Sequence, residues 1–147
     1  MSHTLQDLTE LLLNAAKKSG ADDADAMAIQ GQSLSINVRG GQLEQAERAE
    51  GIDIGLRVLI GQRQASVSAS DINASTISEM AERAVAMANE APIDPYIGLA
   101  DCDALAQSWD IAALELCDPT PEPSPNALQN DAEQAEQAAL GATGISQ

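Results

Sequence analysis

The sequence predicts an α+β protein in which an antiparallel sheet of about four or five strands is covered on one face by helices. Two stretches with apolar residues at helical spacing flank a central region where apolar and polar residues alternate. A proline-punctuated C-terminal arm and a terminal helix follow. Because one face of each predicted strand is apolar, that face needs cover, and the two amphipathic helices can supply it.

The first helix is predicted over residues 4–19. Thr4 is placed to cap its N-terminus, and Asp7 lies close to the positive end of the helix dipole. The leucines and alanines that follow recur every three or four positions, which indicates one apolar face. Gly20 stands where a left-handed residue commonly ends a helix.

The second helix is predicted over residues 71–90. Thr76 and Glu79 have the spacing of a capping box, which would mark a local start. Asp71 or Asn73 could cap the helix earlier, so its first residue stays open. A proline follows the stretch and cannot continue it.

Alternation of apolar and polar residues between the helices predicts the strands. Gly40 and Gly41 supply the positive φ angles that a tight hairpin turn needs. The stretch after this turn is compatible with a helix as well as with a return strand. The predicted strands are residues 33–39, 42–49, 51–60 and 65–70, with residues 24–31 as a candidate first strand.

The last third of the chain has nine acidic residues and no Lys or Arg. Four prolines at alternating positions favour an extended chain there. We therefore expect an α+β domain over residues 1–91, an extended acidic connector over 92–125, and a helix within 126–147 that leads into a further, C-terminal domain. Tyr96 and Trp109 are expected to fix the connector to the core or to that further domain.

Composition excludes several classes of function. The formal net charge is −16, which argues against a nucleic-acid binder and a polybasic membrane-surface protein. No apolar run approaches the ~20 residues of a spanning helix. The start of the chain lacks a secretory signal, so we expect a cytoplasmic protein. With His3 as the only histidine and Cys102 and Cys117 as the only cysteines, we assign no catalytic, cofactor-binding or metal-binding residue.

The polar face of the predicted sheet is the candidate binding surface, although a solvated sheet face is the alternative. Small side chains allow another backbone to approach, and a free strand edge can accept an extended peptide. Arg57, Ser66 and Ser68 are the candidate contacts for a peptide or a partner. Arg57 either forms an ion pair with Asp53 or a neighbour, or binds a carboxylate of a peptide or partner subunit. The face is lined by Ser33, Ser35, Asn37, Asp53, Gly55, Arg57, Ser66 and Ser68.

Five motifs occur in an order that resembles the N-terminal region of the TldD/PmbA family. Three lie in the strand region, and the two later ones resemble the PmbA (TldE) branch of that family. Each motif is short, so the order and spacing of the set carry the resemblance. The motifs are NVRGGQLE (residues 37–44), GIDIGLRV (51–58), RQASVSASDI (63–72), DPYIGLAD (94–101) and AEQAAL (135–140).

The resemblance implies a cytoplasmic zinc metallopeptidase of several hundred residues, in a family also described as modulators of DNA gyrase. In that family a TldD-like subunit carries an H-E-x-x-x-H motif, whose two imidazoles can bind Zn²⁺. The PmbA-like subunit resembles it, lacks those ligands and pairs with it. This sequence contains no H-E-x-x-x-H, so no catalytic residue is carried over.

These implications predict the N-terminal, non-catalytic fragment of a PmbA-like subunit, inactive by itself. Its expected partner is a TldD-like subunit that holds the zinc, and the expected substrates are peptides or unfolded segments. Assembly and a surface of the substrate chamber would be its contribution. The alternative is an acidic regulatory module that binds a basic protein such as a topoisomerase.

Overall fold

A computed structural model of the chain describes residues 3–108, 110 and 112–145. The element order is helix, three strands, helix, a short 3-10 turn and a final helix. The elements are α1 (Leu5–Ser19), β1 (Asp23–Arg39), β2 (Gln42–Ile60), β3 (Arg63–Ala69), α2 (Ala74–Glu90), the 3-10 turn (Cys102–Ala104) and α3 (Pro125–Leu140).

The sheet among the described residues has three antiparallel strands in the order β1-β2-β3, so the prediction of four or five strands was wrong. The alternating stretches were located correctly, but four of them join in pairs. Strand β1 runs for 17 residues through Gly31, and β2 runs for 19 residues through Gly51. Neither glycine has a positive φ, whereas Gly40 and Gly41, at φ 58° and 66°, form the turn between the strands.

The two helices α1 and α2 cover one face of the sheet, as predicted, and the core lies between these layers. Strand β2 contributes its even-numbered side chains, because successive residues of a strand point to opposite faces. The core has no aromatic residue and is built from aliphatic side chains, methionine and alanine. Its buried members are Leu8, Leu12, Ala16, Ile54, Leu56, Val58, Ile77, Met80, Ala81, Ala84 and Ala88.

Helix α1 has the cap that its sequence predicts. The backbone N–H of Asp7 donates to the Thr4 hydroxyl oxygen at 3.1 Å, and the Thr4 N–H donates to the Asp7 carboxylate at 2.8 Å. This reciprocal pair satisfies two N–H groups that the helix itself cannot. At the other end Gly20 takes φ 101°, and its N–H bonds to the last turn of the helix.

Helix α2 begins differently from the Thr76 start that the sequence suggested. Its N-cap is Asn73, which makes no side-chain capping bond. The Thr76 hydroxyl instead donates to the Asp71 carboxylate at 2.7 Å. This bond lowers the pKa of Asp71 below the ordinary carboxyl value, with help from the Asn73 backbone N–H. Of the caps that the sequence left open, Asn73 is therefore the one adopted.

The chain divides into two compact units. The first unit comprises residues 1–31 and 51–106, and the second comprises residues 32–50 and 107–147. The predicted domain boundaries after residues 91 and 125 remain a prediction. No helix of the described part of the chain is both long and apolar enough to cross a membrane.

Candidate binding face and hairpin tip

The outward face of the sheet in the first unit contains the three residues proposed as contacts. In the pairing of β2 with β3, Arg57 lies opposite Ser66, and Gly55 lies opposite Ser68. Because residues two apart point to the same side, Arg57, Ser66 and Ser68 share the face turned away from the core. Both serines are exposed, and Arg57 is half-buried.

Arg57 forms its ion pair with Asp25 of β1. Its Nε donates to the two carboxylate oxygens at 3.0 and 3.2 Å, and its Nη2 also donates to this carboxylate. The remaining arm, Nη1, donates to the amide oxygen of Gln64 on β3 at 3.3 Å. One guanidinium therefore bridges all three strands, and its bidentate fork already holds a carboxylate.

Asp53, the partner that the sequence suggested by name, bonds elsewhere. Its carboxylate accepts a hydrogen bond of 2.6 Å from the Ser70 hydroxyl across the β2–β3 pair. The general expectation of a neighbouring acidic partner for Arg57 is confirmed, but the residue is Asp25. Asp25 lies on a strand whose register relative to β2 cannot be read from the sequence.

The Arg57–Asp25 pair is open to solvent, which limits its strength. The two side chains are 34% and 49% exposed. Hydrogen bonding to Asp25 raises the pKa of the Arg57 guanidinium. The guanidinium is charged at physiological pH with or without this bond. Exposed pairs of this kind stabilise a fold by roughly 0.2–1 kcal/mol. The pair therefore contributes little to the stability of the sheet.

A shallow groove of about 390 Å³ lies beside this pair. Its wall combines the charged pair and Ser66 with the apolar side chain of Met27, which is 61% exposed. Ile29, two residues further along β1, is 53% exposed on the same face. Sequence analysis missed Asp25 and Met27 as part of this surface. Their alternation with Ala24, Ala26 and Ala28 was the available signal.

The second unit contains a polar site at the tip of the β1–β2 hairpin. The N–H groups of Gly40 and Gly41 donate to the two oxygens of Glu136 at 2.6 and 2.7 Å. Glu136 is half-buried on α3. In the same unit Arg48 of β2 pairs with Glu122 at 3.2 Å and with Glu50 at 2.8 Å. No sequence signal pointed to Glu136, because its partners are about 95 positions away.

The described residues do not fit a zinc site. No group of three or more His, Cys, Asp or Glu side chains is close enough together there to hold a metal ion. Both cysteines, Cys102 and Cys117, are exposed and unpaired with each other. Of the two aromatics expected to fix the connector, Tyr96 is 94% exposed and does not pack on the core, and Trp109 lies outside the described residues.

Comparison with known proteins identifies the family. Residues 24–88 match the family model of PmbA/TldA metallopeptidase domain 1. The Metalloprotease PmbA homolog of Haemophilus influenzae is 33% identical over 138 residues, and the Metalloprotease PmbA of Escherichia coli O157:H7 is 32% identical over 134 residues. These alignments cover 94% and 91% of this chain. The chain spans only 30% and 28% of those relatives.

Solved structures show the same fold at lower identity. TldE from Thermococcus kodakarensis superimposes with a TM-score of 0.69 at 17% identity, over 90% of this chain and 29% of that one. A candidate modulator of DNA gyrase from Bacteroides thetaiotaomicron gives the same TM-score and identity, over 98% of this chain and 32% of that one. The resemblance expected from the motifs is confirmed, and the chain belongs to the PmbA/TldD family, of which residues 24–88 form domain 1.

Proposed function

We propose that the chain is the N-terminal, non-catalytic domain of a PmbA/TldE-like subunit in a two-component cytoplasmic zinc metalloprotease that acts on peptides or unfolded segments. The observation that carries this proposal is the match of residues 24–88 to domain 1, together with two PmbA metalloproteases of similar sequence. The donor chemistry supports a non-catalytic role, since the described residues do not bring together a zinc ligand set.

The outward sheet face is the surface that we assign to assembly or to the wall of the substrate chamber. A carboxylate of the peptide or partner would replace Asp25 on the Arg57 fork, because that ion pair is exposed. Ser66 and Ser68 offer exposed hydroxyls beside it. Met27 adds exposed apolar area at the rim. A charged anchor with small polar neighbours and an apolar rim suits an extended peptide or the edge of a partner subunit.

The zinc and the reaction belong to the TldD-like partner in this proposal. The domain contributes no ligand and no proton donor to the hydrolytic step. Its effect on turnover would come through binding and orientation, because holding a substrate in position lowers the entropic part of the barrier.

The test is co-purification of the full-length protein with its TldD-like partner, followed by a peptidase assay on an unfolded substrate. We expect a stable complex and zinc-dependent cleavage that neither subunit shows alone. Replacing Arg57, Ser66 and Ser68 together by alanine should weaken either the complex or the KM for the substrate. Arg83→Ala is the matched control, since Arg83 is exposed on α2. A pair that neither associates nor cleaves peptides contradicts the proposal.

A regulatory role is the second candidate, favoured by the net charge of −16 and by the name of the Bacteroides neighbour. An acidic module would bind a basic protein such as a topoisomerase through long-range charge. Such binding falls steeply with added salt, since the Debye length is ≈ 8 Å at physiological ionic strength and shortens further above it. Retention of unfolded peptides with little salt dependence would instead support the protease subunit.

A further inference from the structure

We propose that the Gly40–Gly41 turn is a carboxylate-binding site and that Glu136, carried by α3, is its resident ligand. The proposal concerns the second unit and does not depend on the assembly proposed above. Two motifs that the sequence analysis singled out, the turn motif at residues 37–44 and the helix motif at 135–140, meet at this point. Neither contributes Arg57, Ser66 or Ser68, the three candidate contacts of the outward sheet face.

The geometry is that of a backbone anion site. Two consecutive residues with positive φ, 58° and 66°, present adjacent N–H groups to one ligand. Each N–H meets a different oxygen of the same carboxylate, at 2.6 and 2.7 Å. Bonds to an ionised acceptor are short and roughly twice as strong as neutral ones. The pairing of two donors with two acceptors selects a carboxylate over a single-oxygen ligand.

The site depends on the main chain and leaves room for a ligand. Both bonds come from backbone N–H groups, so recognition requires the turn conformation and no particular side chain. A Cβ built on either glycine would meet nothing within 4 Å, which leaves open space beside the turn. A carboxylate from another source would take the same position once the Glu136 carboxylate has left it.

Helix α3 delivers the resident ligand. Leu128, Ala132 and Glu136 are half-buried and lie four residues apart, so they share one face of the helix. A second carboxylate of the same unit, Glu122, pairs with Arg48 at 3.2 Å, with side chains 41% and 49% exposed. Because Glu136 belongs to the same chain, its binding to the turn is intramolecular, and a free carboxylate has to displace it. A free carboxylate, such as a peptide C-terminus, competes only when α3 is undocked or Glu136 is absent.

The experiment compares wild type, Glu136→Ala and Glu133→Ala by amide NMR of the full chain. Glu133 is the matched control, because it lies on the same helix and its carboxylate accepts from Gln129 instead. We expect Glu136→Ala to shift the Gly40 and Gly41 amide resonances and to speed their hydrogen exchange about tenfold or more. Glu133→Ala should leave both unchanged, and the Leu56 and Val58 amides report that the first unit stays folded.

An acetate titration then tests whether the turn binds carboxylates in general or only the carboxylate of Glu136. Titrated into Glu136→Ala at constant ionic strength against chloride, acetate should return both amide resonances toward wild type and saturate. N-acetyl-alanine should do the same, and its C-terminal amide should not. If the variant loses the strand signals of the hairpin tip, their return with acetate supports the proposal. Absence of any acetate effect, equal binding of the amide, or unchanged protection in Glu136→Ala overturns it.

Discussion

The first unit has a buried hydrophobic core. Its side chains come from α1, α2 and β2, and each is 4% exposed or less. In the second unit none of the described residues is buried to that degree, and Leu34, Ile36 and Val38 of β1 are only half-covered. Carboxylates of the second unit, among them Glu136 and Glu122, accept hydrogen bonds and form ion pairs.

The difference shows how one pair of strands can be stabilised in two ways. Residues 52–60 of β2 bury alternate aliphatic side chains, whereas residues 41–50 are exposed at every position. Burial of apolar area stabilises a fold by about 25 cal/mol per Å², and charge screening does not weaken it. Exposed charge contacts contribute less and are screened. The first unit should therefore set the global stability, and the second should respond to local changes.

The largest effect is expected when a side chain of the buried hydrophobic core is shortened. Leu56→Ala removes a side chain that is 2% exposed and should lower the free energy of unfolding by about 2–5 kcal/mol. Ile36→Ala, at a half-covered position of the second unit, should cost only about 1 kcal/mol. Urea unfolding followed by far-UV circular dichroism measures both. Equal costs would refute the contrast between the units.

The next effect tests the backbone of the hairpin tip. Gly41→Ala forces a side chain into φ 66° and should destabilise the tip by roughly 1–2 kcal/mol. Gly51→Ala is the control, because this strand glycine has no positive φ and open space at its Cβ. That change should be neutral or stabilising by up to about 1 kcal/mol. Hydrogen exchange of the hairpin amides reports both, and a harmless Gly41→Ala would contradict the turn geometry.

A smaller effect compares ion pairs of the two units by double-mutant cycles. Arg57–Asp25, with 34% and 49% exposure, should couple by about 0.2–1 kcal/mol and lose coupling at high salt. Arg48–Glu50, with 49% and 60% exposure, should couple more weakly than Arg57–Asp25. Stability of the four single and two double variants gives both coupling energies. A larger coupling for the more exposed pair would contradict the ranking.

The smallest effect concerns the stability of the fold at acidic pH, where Asp7 becomes protonated. Hydrogen bonding from the Thr4 backbone lowers the pKa of Asp7 in the folded chain. The stabilisation that the ionised Asp7 gives the fold is therefore fully present above the ordinary Asp pKa. It is lost as the pH falls through the lowered pKa of the folded chain. Asp7→Asn should flatten that part of the curve of unfolding free energy against pH.

A carboxylate of the second unit supplies the control for this titration. Thr120 lowers the pKa of Asp118 through its side chain and backbone N–H, within a local turn. Asp118→Asn should leave the global acid dependence unchanged, because the second unit does not set the overall stability. An equal effect of both changes would count against the assignment of global stability to the first unit.

Local patterns predicted the elements well and their connections less well. Helix α1 was expected over residues 4–19 and runs from Leu5 to Ser19, because its cap and its apolar spacing are both local signals. The strand count was wrong because Gly31 and Gly51 carry no sequence mark that separates a turn from a continued strand. Helix α3 begins at Pro125, one residue earlier than expected, since proline at the first helical position loses no hydrogen bond.

The residues of the candidate site also fall into those that local patterns predicted and those that depend on long-range contacts. Alternation was enough to place Arg57, Ser66 and Ser68 on one face. Predicting Asp25 as the partner of Arg57 would have required the register of β1 against β2. Predicting the role of Glu136 would have required a contact between residues about 95 positions apart. Neither long-range relation leaves a trace in the spacing of residues along the chain. Sequence patterns thus predict single helices and strands and the pairing of adjacent strands, but not contacts between distant parts of the chain.

The aliphatic interior has a practical optical consequence. The chain has one Trp, one Tyr and no Phe, and none of the core residues described above carries a ring. Tyr96 is 94% exposed when the protein is folded, so melting hardly alters its surroundings. Tyrosine emission and tyrosine near-ultraviolet absorbance will therefore be almost silent about the collapse of the aliphatic layers. A tryptophan placed at Met80 would give that interior a chromophore.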